Sequence, residues 1–246
     1  MEPLLKVNNL SKSFQGVQAN DDVCFDVRPG EIHGLIGPNG AGKTTLLSLL
    51  SGEITPDRGS VSLQQQDITH MPAFKRIHLG LARSYQISRL FPQMTCLQNV
   101  QVSLQIKQGH SFRFFSSAFS SHQDEAMNML QQLGLEEQAH KPAGDLAHGL
   151  RRELELAVIL ARKPRLLMLD EPMAGMGKSE SQRITSVLEG LRGDMTMLLV
   201  EHDMDVVFQL ADRISVLVQG KVMVTGTAED IRAHEAVQAA YLGDDL

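Results

Sequence analysis

Short apolar runs alternate with amphipathic segments along most of the 246-residue chain. An uninterrupted apolar run predicts a buried strand, and apolar positions at helical spacing predict a helix. Strands are predicted at residues 4–10, 23–27, 31–36, 60–63, 166–169, 196–200, 214–218 and 221–225. Helices are predicted at residues 43–50, 71–79, 97–106, 123–133, 149–161, 180–191 and 204–210. This alternation favours an α/β fold with a largely parallel sheet and helices on both of its faces.

The middle of the chain has a different pattern. From about residue 72 to residue 143 the predicted helices follow one another, and a polar and aromatic loop at residues 109–121 separates two of them. We interpret this region as a helical insertion between two halves of an α/β core. Near the end of the chain, Gln219-Gly220 lies between two apolar runs and predicts a hairpin.

Composition narrows the possible partners. Hydrophobic residues make up 42% of the chain and charged residues 21%, as in ordinary globular proteins. The formal charge is −6, which argues against a nucleic-acid partner because such binders usually carry a basic patch. No stretch approaches the roughly 20 apolar residues that cross a bilayer. We therefore expect a cytosolic protein, unless a partner holds it at a membrane.

A glycine-rich segment lies between the predicted strand at 31–36 and the predicted helix at 43–50. It fits the pattern G-x-x-x-x-G-K-[ST], in which glycines let backbone N–H groups surround a phosphate. The Lys43 side chain can reach the β- and γ-phosphates, and the Thr44 hydroxyl can bind Mg²⁺. The predicted nucleotide-binding residues here are Gly37, Pro38, Asn39, Gly40, Ala41, Gly42, Lys43, Thr44 and Thr45.

Two carboxylates follow the apolar strand at 166–169. Asp170, at the end of a strand, can hold Mg²⁺ directly or through water, and Glu171 can act as general base toward an attacking water. Together with the glycine-rich loop, this pair predicts nucleotide hydrolysis with Mg²⁺ as the metal.

The order of the remaining motifs resembles the ATP-binding subunit of ABC transporters over essentially the whole chain. Five segments carry the resemblance: Phe14; Ser84-Tyr85-Gln86; Leu146-Ala147-His148-Gly149-Leu150-Arg151-Arg152; Glu171-Pro172-Met173-Ala174-Gly175-Met176; and Val200-Glu201-His202-Asp203. They correspond in turn to the adenine-stacking aromatic residue, the Q-loop, the signature, the start of the D-loop and the switch-histidine segment of that family.

The resemblance implies roles for these residues. Phe14 would stack on adenine, Gln86 would contribute to the Mg²⁺ site, and His202 would help Glu171 to position water. It also implies a P-loop NTPase core of the ABC ATPase type, with an N-terminal antiparallel β subdomain and an α-helical insertion. Residues 1–246 would form one such domain, with the ATP-binding core at 1–85 and 160–246 and the insertion at 86–159.

Within the family, the chain most resembles the ATPases of branched-chain amino acid and urea uptake systems. The segments that suggest this are residues 88–95, 171–176, 201–204 and 241–243. An importer of branched-chain or other amino acids is implied, with this subunit held peripherally at the cytoplasmic face of a bacterial inner membrane. The implied partners are membrane permease subunits, a second ATPase subunit and, indirectly, a periplasmic solute-binding protein.

Other functions fit parts of the sequence. A urea or amide importer, or a soluble non-transport ABC ATPase, would carry the same motifs, although coiled coils, zinc cysteines and basic arms are not visible. A GTPase would need an N-K-x-D motif, which the sequence lacks, and a P-loop kinase would need an acceptor site and a lid. Glu171 and His202 argue against a module that binds ATP without hydrolysing it.

The signature departs from the family pattern. Ala147 replaces the usual serine, His148 the first glycine and Leu150 the glutamine, whereas Gly149 is retained. Gly177 lies where the D-loop usually has an aspartate. The residues of this chain's own nucleotide site are complete. The second ATPase subunit could be a copy of this chain or a different ATPase, and this combination favours the heterodimer.

Overall fold

The computed structural model describes residues 2–84, 90–107 and 122–241. The chain forms two compact units. The core unit consists of Met1–Arg83, Arg165–Glu171 and Leu191–Leu246. The helical unit consists of Ser84–Pro164 and Pro172–Gly190. None of the helices in the described part of the chain is long and apolar enough to cross a membrane.

An antiparallel sheet occupies the N-terminal part of the core unit. Its strands are β1 (Leu5–Phe14), β2 (Val17–Val27), β4 (Arg58–Leu63) and β5 (Gln66–Asp67), in the order β2-β1-β4-β5. The antiparallel β subdomain implied by the family resemblance is therefore present. Strands β1 and β2 are longer than predicted, because hydrogen bonding between them continues through exposed positions where the apolar pattern stops.

A second sheet carries the strands from the apolar runs. Six strands of the described residues form it: β3 (Ile32–Ile36), β6 (Leu81–Arg83), β7 (Leu166–Asp170), β8 (Thr196–Val200), β9 (Arg213–Val218) and β10 (Lys221–Gly226). Their order is β10-β9-β3-β8-β7-β6, and every neighbouring pair is parallel except β9 with β10. Every residue of β3, β7 and β8 is buried, as their continuous apolar sequences require. The predicted parallel sheet and its terminal hairpin are confirmed.

The helices begin and end close to their predicted limits. The helices of the described residues are α1 (Lys43–Ser51), α2 (Ala73–His78), α3 (Cys96–Lys107), α4 (Gln123–Gln132), α5 (His148–Ala161), α6 (Lys178–Gly190), α7 (Met204–Leu210), α8 (Ala228–Ala233) and α9 (Glu235–Tyr241). The sequence patterns missed β5 and β6. The two strands have only two and three residues, too few to show a period.

Helix α1 lies in the main hydrophobic core of the core unit. Leu46, Leu47, Leu49 and Leu50 are completely buried and belong to one cluster with residues of both sheets. Burial of four leucine side chains contributes roughly 2 kcal/mol each relative to exposure in water. The helix is therefore held rigidly, and so are the residues at its N-terminus.

Arg76 stabilises the other end of α1. Its buried guanidinium donates hydrogen bonds to the carbonyl oxygens of Leu49 (2.9 Å), Leu50 (2.8 Å), Thr69 (3.0 Å) and Met71 (2.7 Å). Burial lowers its pKa to about 10, so it remains a cation at neutral pH. A positive charge at a helix C-terminus also interacts favourably with the helix dipole.

The helical unit contains a buried carboxylate. Helix α5 packs against α3 and α4, and Glu153 within it is completely buried. Among the described residues, no group donates a hydrogen bond to either oxygen of Glu153, and its ion-pair partner Arg183 lies 3.5 Å away. Burial raises the pKa of Glu153, Arg183 partly offsets this, and Glu180 raises it further. An ionised Glu153 therefore destabilises the folded protein.

Replacement of Glu153 by Met tests whether the ionised carboxylate destabilises the folded protein. The folded-state pKa is raised, so the penalty is absent below the ordinary pKa of glutamate and grows as the pH rises toward the folded-state value. We expect Glu153→Met to raise the free energy of unfolding by about 1 kcal/mol near pH 8, with a smaller gain near pH 5. Urea unfolding at both pH values measures this. A gain that does not depend on pH would contradict the assignment to ionisation.

Candidate functional site

The glycine-rich loop bends around the Lys43 side chain. The loop connects the end of β3 to the start of α1, and the Lys43 Nζ donates to the carbonyl oxygens of Gly37 (2.6 Å) and Pro38 (3.1 Å). Lys43 is buried, whereas Asn39, Gly40 and Thr44 are exposed around it, and Ala41 is buried beneath them. Pro38, Gly42 and Thr45 are half-buried. The backbone of the loop thus surrounds the Lys43 ammonium.

Hydrogen bonds from neighbouring elements of the core unit hold the loop in place. The Gly220 N–H in the β9–β10 turn donates to the Ala41 carbonyl (2.9 Å), and the Asn20 side chain on β2 donates to the Gly42 carbonyl (3.3 Å). Gly42 has φ of 102°, and a Cβ there would lie 2.2 Å from the carbonyl oxygen of Ala19. Only glycine can occupy this position without displacing backbone.

Asp170 and Glu171 follow one another at the end of β7. Asp170 is buried and pairs in register with Val200 of β8. Glu171 has φ of 49°, a left-handed conformation that is costly for a residue with a side chain, and its N–H donates to the Val200 carbonyl (2.9 Å). Such strain is frequent at functional sites, where it fixes the direction of a side chain.

His202 follows β8 at the same edge of the sheet. Its Nε2 donates to the Glu171 Oε1 across 2.6 Å, so the two side chains form one unit. The carboxylate is about one quarter exposed and the imidazole nearly half exposed, with side-chain accessibilities of 24% and 45%. A partly exposed carboxylate that is oriented by an imidazole can contact a water molecule.

Electrostatic coupling links the loop to the two carboxylates. Burial lowers the pKa of Lys43, and the charges of Glu171 and Asp170 partly oppose this. The structure therefore brings Lys43, Asp170, Glu171 and His202 together in the core unit. Their roles in catalysis remain predictions.

Arg83 contacts the site residue Asp170, and no sequence pattern predicted this. Its buried Nη2 donates to Asp170 Oδ2 (2.9 Å), and its Nη1 donates to Ser48 Oγ on α1 (2.9 Å) and to Glu53 Oε2 (2.9 Å). Arg83 is the last residue of the short strand β6, three residues before Gln86. Its only sequence signal is this position before the predicted Q-loop, because the contact to Asp170 spans 87 residues.

Phe14 lies at the end of β1 and is 46% exposed, so it is not a core residue. The Lys12 Nζ lies 5.5 Å from the centre of its ring. Lys12 also forms an ion pair with Asp57 (2.8 Å), which accepts a hydrogen bond from the Ser13 N–H as well. The exposed ring is available for stacking. The predicted residue Gln86 and the loop at 109–121 lie outside the described residues.

The signature segment lies in the helical unit at the start of α5. Ala147 precedes the helix and provides no side-chain cap, as expected from its methyl group. Ala147 and His148 are exposed, whereas Gly149 is buried.

Comparisons with known proteins agree with this arrangement. Residues 20–174 match the family described as ABC transporter, and residues 221–246 match a branched-chain amino acid ATP-binding cassette transporter family. The chain belongs to the ATP-binding proteins of ABC transporters.

Particular relatives cover nearly its full length. It is 39% identical over 255 residues to the high-affinity branched-chain amino acid transport ATP-binding protein LivG of Escherichia coli K12, covering 99% of both chains. Identity to BraF of Pseudomonas aeruginosa, which carries the same description, is 37% over 251 residues and covers 98% of both chains.

A solved structure is also similar. The ADP conformation of MJ1267, an ATP-binding cassette of an ABC transporter, superposes with a TM-score of 0.84. The two chains are 27% identical, and the match covers 99% of this chain and 100% of the other. The predicted family, fold class and ATPase class are therefore confirmed.

Two glycines of the loop give a matched test of its backbone. Gly42→Ala adds a methyl group that collides with backbone, whereas Gly40→Ala, at φ of 78°, adds one in open space. We expect Gly40→Ala to lower the free energy of unfolding by about 1–2 kcal/mol, from left-handed strain alone. Gly42→Ala should cost about 3 kcal/mol, because the backbone must also move. Denaturant unfolding without nucleotide measures both, and equal losses would contradict the contact with Ala19.

Proposed function

We propose that this chain is the ATP-hydrolysing subunit that energises a bacterial importer of branched-chain or other amino acids. The observation that carries the hydrolytic role is the 2.6 Å hydrogen bond between His202 and Glu171, next to the loop that encloses Lys43. In this proposal residues 1–246 act as one ATPase domain.

The phosphate groups of ATP would be bound by the loop. The buried Lys43 ammonium carries the charge, and it would exchange its bonds to the Gly37 and Pro38 carbonyls for phosphate oxygens. The N-terminus of α1 adds free N–H groups and the positive end of its dipole. Phe14, being exposed, would stack on the adenine ring, with Thr45 and the remaining loop residues lining the phosphates.

Glu171 would act as general base. It would orient a water molecule toward the γ-phosphate and take up its proton, while His202 fixes the carboxylate and donates to the developing negative charge. The left-handed backbone at Glu171 supports this role, since strained backbone of this kind is frequent at functional sites.

The oxygen donors at the site fit Mg²⁺. This ion prefers oxygen ligands and is usually held by one or two protein groups together with phosphates and water. Thr44 offers an exposed hydroxyl and Asp170 a carboxylate. We propose these two residues and Gln86 as its ligands. When bound, the ion would neutralise charge on the phosphates.

The names of LivG and BraF support the transport role, because both relatives match along nearly their whole length. The matched C-terminal segment at residues 221–246 adds to this support. In the proposed assembly the chain binds permease subunits at the cytoplasmic face of the inner membrane. A periplasmic solute-binding protein delivers the substrate to the permease, so the solute never contacts this subunit.

A second, different ATPase is the proposed partner. In the family, the signature of one subunit closes on ATP bound to the other, and a serine hydroxyl donates to the phosphate. Ala147 cannot donate, and the loss of such a charge-assisted hydrogen bond costs roughly 1.5–3 kcal/mol. The site on this chain retains Lys43, Asp170, Glu171 and His202. A partner with a complete signature would therefore support hydrolysis here.

Replacement of Glu171 tests the general-base role. We expect Glu171→Gln to lower ATP turnover by roughly 100- to 10,000-fold, since the amide cannot accept the proton. Affinity for a fluorescent ATP analogue should change less than about twofold, because the positive charge and backbone of the loop are intact. The exposed carboxylate variant Glu229→Gln is the matched control. Unchanged turnover in Glu171→Gln would exclude the base role.

A mixing experiment tests the heterodimer. At low protein concentration we expect the purified chain alone to hydrolyse ATP weakly. Addition of a second ABC ATPase from the same gene neighbourhood should raise the rate at least about tenfold, because its serine restores the missing hydrogen bond. Restoration of the serine by Ala147→Ser should increase the rate of the chain alone. Full activity of the unmixed wild-type chain would contradict the proposal.

A further inference from the structure

Two segments of the helical unit meet at Glu180. Glu180 is the third residue of α6, and its Oε2 accepts a hydrogen bond from the N–H of Gly177, which immediately precedes that helix (3.0 Å). This is the glutamate half of a capping box, in which an acidic side chain satisfies a free N–H at the helix start. Glu180 thereby orients the end of the segment that resembles the D-loop.

The same carboxylate lies against Gly149 of α5. A Cβ on Gly149 would be 2.2 Å from Oε1, 2.4 Å from Cδ and 2.6 Å from Oε2 of Glu180. Gly149 has no left-handed backbone that would require glycine, since it lies inside an ordinary helix. Its missing side chain is therefore the space that Glu180 occupies.

Two further contacts join the same segments. A Cβ on Gly175 would lie 3.6 Å from Cε1 of His148, so the segment before α6 runs beside the first residue of α5. One turn further along α5, Glu153 faces Arg183 of α6 at 3.5 Å. The first half of α5 thus lies beside the first half of α6 and the segment that precedes it.

We propose that Glu180 is a positioning residue that ties the signature segment at 146–152 to Gly177, which follows the segment at 171–176 that resembles the D-loop. The inference rests on the proposed function, because these are the segments expected to face the partner ATPase. The tie makes the two segments move together when ATP closes the pair. It also explains why Gly149 is retained in a signature that has lost its serine, its first glycine and its glutamine.

The contact between Glu180 and Gly177 should depend on the volume of the side chain at residue 149. The methyl group added by Gly149→Ala would displace the carboxylate, which is the movable end of a flexible side chain, and so break its bond to Gly177. Removal of the carboxylate by Glu180→Ala breaks the same bond. Because both substitutions break the same hydrogen bond, the effect of the double variant should not be the sum of the two single effects. Glu180→Gln retains an acceptor oxygen and should preserve the tie.

The first measurement is hydrogen exchange of the amides at residues 173–177, by mass spectrometry of the full chain. We expect Gly149→Ala and Glu180→Ala each to speed exchange several-fold there, and the double variant to be no faster than the faster single variant. Gly190→Ala is the matched control, because it adds a methyl group in open space near the other end of α6. It should leave exchange at 173–177 unchanged.

The second measurement is ATP turnover, in whichever form is active, the chain alone or mixed with its partner. We expect Gly149→Ala and Glu180→Ala to lower kcat about fivefold to tenfold, while Glu180→Gln stays near wild type. Binding of a fluorescent ATP analogue to the chain alone should be unchanged in all of them. This separates a positioning effect on the paired state from general loss of folding.

Additive effects of the two substitutions on exchange would overturn the proposal, as would unchanged exchange at 173–177 in Gly149→Ala. Wild-type turnover in Glu180→Ala would also overturn it, and tighter ATP-dependent pairing in that variant would show that Glu180 opposes closure instead. Absence of ATP turnover in every form, with the exchange results as expected, would refute the proposed function and leave the tie standing.

Discussion

The burial of one positive charge organises the nucleotide side of this molecule. Lys43 is 7% exposed at the start of a helix whose leucines fill the core, so its backbone is held firmly beside the loop that its ammonium contacts. Bulk water is replaced by two carbonyl oxygens of the preceding loop and by the field of Asp170 and Glu171. A buried ammonium is tolerated only with such partners. The proposed phosphate binding depends on this buried charge and on the loop that surrounds it.

The carboxylates are held just as firmly, but by different means. Asp170 is fixed by the Arg83 guanidinium, which is itself fixed to Ser48 on α1 and to Glu53. Glu171 is fixed by a left-handed backbone and by His202. One acid is thus paired with a permanent cation and the other with a titratable imidazole. The first pairing suits the ligand role proposed for Asp170, and the second suits the water-positioning role proposed for Glu171.

Most of the fold could be predicted from sequence, whereas the roles of the site residues stay predictions. The strand at 196–200 and the helix at 204–210 have the predicted limits, because continuous apolar runs and helical spacing are local signals. Strand β6 could not be predicted, since three residues show no period. The roles of Arg83 and Glu180 were missed for another reason: each depends on a tertiary contact that leaves no mark in nearby sequence.

The loop around Lys43 and the signature at the start of α5 retain their sequence motifs to different extents. Around Lys43 the sequence motif is complete, and Arg83 adds a cation beside Asp170. Around α5 the motif has lost its hydrogen-bonding side chain, yet Gly149 is packed against the Glu180 carboxylate more closely than a methyl group would allow. Packing against Glu180 therefore gives a reason for glycine at residue 149 that does not depend on contact with phosphate. Under the proposed pairing with an unlike ATPase, such a signature would dock on its partner without donating a side-chain hydrogen bond.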